Sequence, residues 1–125
     1  MPPVVPSHLT NWLAPAREAL RTGSGKPCLV GLHGSTAGFG LSLLTLSAPA
    51  QPLADRSWLV VAKTDDEAER LYRDTLFFRT LCGQSGEDLA LFPKWETLPY
   101  ESTVPHIDLV ARRMQTLNRL CTTAR

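Results

Sequence analysis

The sequence predicts an α/β fold, a partial parallel sheet with flanking helices and a degenerate P-loop. Three observations predict it. Short apolar runs alternate with segments of helical period, in the order α and then β-α three times, which implies right-handed crossovers onto a mostly parallel sheet. A glycine-rich turn, Gly31-Leu32-His33-Gly34-Ser35-Thr36-Ala37-Gly38, lies between the first apolar run and the next helix, where a P-loop would sit. With 125 residues, 43% of them hydrophobic, the chain can bury one core.

Each element follows from local pattern. Leu9, Trp12, Leu13, Ala16 and Leu20 recur at helical spacing, with Pro15 tolerable near a helix start, so a lead-in helix is expected before the Gly23-Ser24-Gly25-Lys26 turn. Residues 27–30 read as the first strand, and 39–47 as the helix after the loop. Residues 48–57, with Pro49 and Pro52, read as a loop. The nearly all-apolar run 58–62 suits a strand covered on both faces. Thr64-Asp65-Asp66-Glu67 has the form of a capping box and opens a helix lined by Ala68, Leu71, Tyr72, Thr75 and Leu76, ending near Cys82-Gly83. Residues 89–92 form the third expected strand, closed by Pro93. Prolines 93, 99 and 105 forbid a regular helix up to Ile107, whereafter Ile107, Val110, Ala111, Met114, Leu117 and Cys121 make an apolar stripe. Two units are expected, 1–26 as lead-in helix and turn, and 27–125 as the first part of an α/β domain. Three short strands leave open edges and the last helix has no strand to return to, so the chain reads as the front of a larger domain.

A working P-loop needs a Lys for the outer phosphates and a hydroxyl for Mg²⁺ after its second Gly. Counted from Gly31, those places hold Ala37 and Gly38, so neither the charge nor the metal ligand is present. Gly31, Gly34, Ser35 and Thr36 could retain anion affinity at a helix start, or serve only as a tight turn whose glycines answer backbone geometry. Gly34-Ser35-Thr36-Ala37-Gly38 also resembles a nucleophile elbow, but His106 and Asp108 follow in the reverse order for that fold.

Composition excludes several classes. A net charge of +1 leaves no whole-chain footprint for nucleic acid or acidic lipid. Cys28, Cys82 and Cys121 are odd in number and widely spaced, which fits free thiols better than a disulfide framework or a zinc site. The Pro-rich start is no secretory signal, and no run approaches the ~18 apolar residues of a membrane span. A cytoplasmic protein without membrane partners is the expectation.

The stretch Leu91-Phe92-Pro93-Lys94-Trp95-Glu96-Thr97-Leu98-Pro99-Tyr100-Glu101, followed by Pro105-His106-Ile107-Asp108 and Arg112-Arg113-Met114-Gln115-Thr116-Leu117, resembles the N-terminal region of bacterial transcription-repair coupling factors. Gly31 to Ser35 and Leu59-Val60-Val61 extend the resemblance. It implies a helicase-like domain similar to the first domain of the excinuclease B protein, without a working ATP site and without that protein's DNA-probing hairpin. It further implies a parent protein that is an ATP-driven DNA translocase, displacing stalled RNA polymerase and recruiting the nucleotide excision repair machinery. ATP and Mg²⁺, with polymerase and DNA, would engage distant motor and binding domains. The excinuclease A protein would contact the module after this segment, whose direct partner would be the remainder of its own protein.

For the segment itself, no catalytic residue, cofactor or metal is expected. Trp95, Glu96, Tyr100 and Glu101 could form a recognition surface or pin their loop to the sheet, with packing favoured for Trp95. Arg112, Arg113 and Arg119, with Thr116, lie opposite the apolar stripe, as a partner-binding basic face or an ordinary solvated one. A non-catalytic scaffold segment is the favoured function; a small nucleotide-binding P-loop-like protein or enzyme with a degraded motif is the alternative.

Overall fold

The computed structural model describes residues 11–23, 25–45, 57–95 and 106–123. Among them are four helices: α1 (Ala14–Thr22), α2 (Thr36–Leu44), α3 (Asp65–Leu81) and α4 (Ile107–Thr123). Leu9, Glu96, Tyr100, Glu101 and most of the 48–57 loop lie outside the described residues.

The helix ends are fixed by local chemistry. Pro15 falls in the first turn of α1, where its missing N–H costs nothing. Gly23, at φ 67°, ends that helix in the left-handed conformation, and its N–H donates to the Ala19 carbonyl. At the start of α3 the Thr64 hydroxyl accepts from the Glu67 N–H at 3.2 Å, and the Glu67 carboxylate reaches back to the Lys63 N–H at 3.0 Å. Asp65, Asp66 and Glu67 all face the positive end of the helix dipole. The far end of α3 is a full Schellman motif. Gly83, at φ 71°, donates to the Thr80 carbonyl, and Gln84 donates to that of Arg79, both at 2.9 Å.

The core is small. Leu13, just before α1, and Leu43 of α2 are fully buried, with Leu44 beside them and Leu20, Phe39 and Trp58 packed against the group. Each such Leu contributes ~1.5 to 3 kcal/mol. Arg17 of α1 adds a polar tie: its Nη2 donates at 2.6 Å to the Leu43 carbonyl, one of the orphan acceptors in the last turn of α2. Burial pushes the Arg17 pKa down from its ordinary value, and the guanidinium stays charged all the same.

α2 lies against α3, and Gly38 sets how closely. A Cβ on Gly38 would run into the Cβ of Asp74 and come within 3.1 Å of the Asp74 carbonyl carbon and the Thr75 nitrogen. Thr75 is itself buried. One residue along, the Phe39 ring meets Phe78 of α3 with centroids 5.0 Å apart and planes tilted by 59°, and Phe78 meets Phe77 edge-on at 5.3 Å.

The expected sheet is not present. None of the apolar runs 27–30, 58–62 and 89–92 forms a β-ladder with any other described residue. An all-apolar run reads as a strand buried on both faces, but burial is conferred by neighbours and not by the run itself. Here Val30, Leu59 and Val61 are 85%, 89% and 85% exposed, so the neighbours that would make strands of them are absent among the described residues. The fold class is therefore corrected from α/β to helical.

The degenerate P-loop and the helicase-like domain fall with it. A P-loop is a strand-to-helix device, and residues 27–30 are no strand. Helix α2 starts at Thr36, not Phe39, and takes Thr36, Ala37 and Gly38 into its first turn. The direction in which a metal-binding hydroxyl would project from position 38 is filled by α3.

Gly38 yields a test of sign. Gly to Ala inside a helix ordinarily gains about 1 kcal/mol from propensity, whereas overpacking a tight contact costs ~1 to 3 kcal/mol. Because the obstacle is a Cβ and backbone, not the end of a flexible chain, overpacking wins. Gly38→Ala is expected to lower the urea-unfolding free energy by about 1 to 2 kcal/mol net; a stabilised variant would contradict the close α2–α3 approach.

Candidate functional site

After the Schellman turn the chain folds back along α3. Arg79, 5% exposed, is held by Asp88, whose Oδ2 lies 2.7 Å from its Nη2. The segment then runs along α4 in the opposite sense. Arg119 Nη1 donates to the Glu87 carbonyl at 2.7 Å, and Arg113 Nη1 to the Pro93 carbonyl at 2.5 Å. Lys94 joins the same segment to the start of α3, with Nζ 2.7 Å from Asp65 Oδ2.

Arg113 is the centre of this joint. Its guanidinium carbon stands 4.0 Å from the centroid of Phe92 and 4.5 Å from that of Trp95, so the cation is flanked by two aromatic rings while it hydrogen-bonds the carbonyl between them. An exposed cation–π contact is worth ~0.5 to 1 kcal/mol. A charge-assisted hydrogen bond contributes ~1.5 to 3 kcal/mol before solvent screening. Only a planar guanidinium does both at once. Pro93 has no N–H and restricts Phe92 to extended geometry, which presents the carbonyl and both rings to one side.

The consequence is an inverted helix. Leu109 is buried and Val110, Arg113 and Thr116 are half-buried, so α4 docks by the face that carries Arg113. The apolar stripe expected to seek the core points away: Ile107 is 77% exposed, Met114 62% and Leu117 44%. Trp95, 47% exposed, is a stacking partner for Arg113 and not the buried anchor that packing into a sheet would require.

Between the starts of α3 and α4 and residues 91–94 lies an open cleft of about 380 Å³. Its charged lining is mixed, Asp65, Glu69 and Asp108 against Lys94 and Arg112, with the His106 imidazole beside them. Lys94 is engaged by Asp65, and His106 Nδ1 lies 3.4 Å from Asp108 Oδ2. This mixture of signs gives the cleft no strong field for an anion or a cation. Among the described residues no group of three or more His, Cys, Asp or Glu side chains could hold a metal ion, and no helix is long and apolar enough to cross a membrane.

Among the described residues put forward from the sequence, the glycine-rich turn and the α4 arginines are not brought together. Gly31 and Gly34 take φ values of 77° and 56° in the turn before α2, and the Thr36 hydroxyl donates to the His33 carbonyl at 2.6 Å. That turn is distant in sequence from the cleft and contributes none of its lining. Of the three arginines, Arg113 and Arg119 are engaged with the chain's own backbone, while Arg112 stands exposed at the cleft. Sequence reasoning missed the inward role of Arg113; the signal available was two aromatics flanking a proline, a pair of rings with no strand to cover them. Cys28 and Cys121 are exposed free thiols, and burial pushes the Cys82 thiol up from its usual pKa.

Replacing Arg113 by Ala is expected to cost about 1 to 2 kcal/mol of stability in denaturant unfolding, with a changed near-ultraviolet circular dichroism from Trp95. Arg113→Lys should recover less than half, since Lys cannot stack and bridge together. Arg112→Ala should stay within about 0.5 kcal/mol. Equal losses at both positions would contradict the joint.

Over 71 residues, 57% of this chain, the sequence is 31% identical to the transcription-repair-coupling factor of Rickettsia prowazekii, of which it covers 6%. Against the factor of Mycobacterium tuberculosis it is 42% identical over 62 residues, 50% of this chain and 4% of that protein. Against that of Haemophilus influenzae it is 43% identical over 42 residues, 34% of this chain and 4% of that protein. No family model and no solved structure matches the chain. The chain thus spans only 4 to 6% of the length of these relatives, and part of its sequence is distantly related to transcription-repair-coupling factors of several bacteria.

Proposed function

We propose that this chain is a non-catalytic structural segment from the N-terminal part of a transcription-repair-coupling factor, serving DNA repair through the larger protein and not by chemistry of its own. The observation that carries the reading is the sequence similarity to such factors in distant bacteria. The geometry agrees with a structural role. Phe92, Pro93, Trp95 and Arg113, which belong to the stretches that resemble the family, are occupied with one another in the joint between the 87–95 segment and α4. Arg112 and the Tyr100-Glu101 pair are the positions we assign to contact with the rest of the protein or its partners, the excinuclease A protein through the following module among them. Polymerase, DNA and ATP belong in this proposal to other parts of the larger protein.

The test has two arms. The isolated chain is expected to hydrolyse no ATP, since phosphoryl transfer needs a phosphate-binding cation and a metal site. In cells of the source organism, in-frame removal of the coding segment for residues 27–125 should abolish the preferential repair of transcribed strands after ultraviolet damage. ATP turnover by the purified chain would overturn the non-catalytic reading, and undiminished strand preference would overturn the assignment to this pathway.

A further inference from the structure

We propose that the Phe92–Pro93 peptide bond is a slow conformational switch coupled to the docking of α4, because Arg113 engages only its trans form. Among the described residues no peptide bond is cis, so this one is trans. In an unfolded chain the choice is nearly open: cis takes ~10 to 30% of X–Pro bonds, and exchange needs tens of seconds or more. In a folded chain the tertiary surroundings choose.

Here those surroundings meet at one cation. Before the bond, the Phe92 ring stacks on the Arg113 guanidinium; after it, the Pro93 carbonyl accepts from Arg113 Nη1 and the Trp95 ring flanks the same cation. A single planar group thereby reads the relative direction of the chain on the two sides of the bond. Turning to cis swings Phe92 to the other side of the imide and shortens the Cα–Cα separation from ~3.8 to ~2.9 Å. The rings and the carbonyl then no longer share a side, and no placement of Arg113 meets them all. The flanking segment is not free to follow. Upstream, Arg79 holds Asp88 and Arg119 holds the Glu87 carbonyl; downstream, Asp65 holds Lys94.

The coupling is reciprocal by linkage: docked α4 keeps the bond trans, and a cis bond frees Arg113 and the part of α4 around it. Exchange about the bond is slow, so the released state outlasts any side-chain fluctuation by many orders of magnitude. A prolyl isomerase would change how fast the two states exchange and not their ratio. None of this rests on the repair assignment, which strand-specific repair reads separately.

Carbon-13 NMR of the full chain tests the proposal, since the Cβ and Cγ shifts of a proline distinguish its isomers. The Pro93 signals are assigned by their loss in Pro93→Ala, and circular dichroism follows the fold. In wild type Pro93 is expected to be trans, with cis at no more than a few per cent; Arg113→Ala should raise cis at least about fivefold, towards the unfolded-chain level, as a second set of signals in slow exchange. Arg112→Ala, at the exposed neighbour, should leave Pro93 trans. If Arg113→Ala loses its helicity, Arg113→Lys is read instead, with cis expected above wild type. A folded Arg113 variant that stays as fully trans as wild type, an equal rise in Arg112→Ala, or a wild-type chain already at the unfolded-chain level of cis would each overturn the proposal.

Discussion

One guanidinium decides which way the last helix faces. Arg113 stacks on Phe92 and Trp95 and bonds the carbonyl of Pro93 between them, and this fixes α4 by the side that a simple amphipathic reading would leave in water. Hydrophobic burial alone would turn Ile107, Met114 and Leu117 inward, at ~1.5 to 3 kcal/mol for each side chain fully covered. The joint rests on what the 87–95 segment offers a cation: two aromatic faces and two backbone carbonyls, the second taken by Arg119. Leu109 is the only apolar residue of α4 that this docking buries.

The rest of the molecule is arranged around two contacts of different character. On one side a small apolar core joins α1 to α2, and the bare backbone at Gly38 lets α2 settle against α3. On the other side polar ties carry the chain from α3 to α4, through Arg79 and Asp88, Lys94 and Asp65, and the two α4 arginines on backbone carbonyls. The first set is insensitive to salt and the second partly screened, since its ion pairs have at least one exposed partner. The large exposed apolar residues belong to neither set: Val30, Leu59 and Val61, and Ile107, Met114 and Leu117 on the outward face of α4.

Features set by a few neighbouring residues were legible in the sequence. Thr64 and Glu67 announced the start of α3, Gly83 its end, and the proline-free run from Ile107 the last helix, because caps and helix periodicity need only residues within one or two turns. The sheet was not legible, since strands at 27–30, 58–62 and 89–92 would depend on partners that no local pattern guarantees. Gly38 looked like a relic of a phosphate loop, and only the crossing of α3 shows that it is a packing glycine. The candidate site fared similarly: Arg112, Arg113 and Arg119 were recognisable as one basic face, but which of them is free depends on where Phe92 and Trp95 lie in space.

A double-mutant cycle between Arg113→Ala and Phe92→Leu, read as unfolding free energies, tests the central claim most directly. The two residues are far apart in sequence, so coupling between them reports the joint and not local helix propensity. A coupling energy of at least about 0.5 kcal/mol is predicted, persisting in moderate salt because the cation is sheltered by the rings. Strict additivity of the two substitutions would mean that Arg113 does not hold α4, and that the outward turn of its apolar stripe has some other cause.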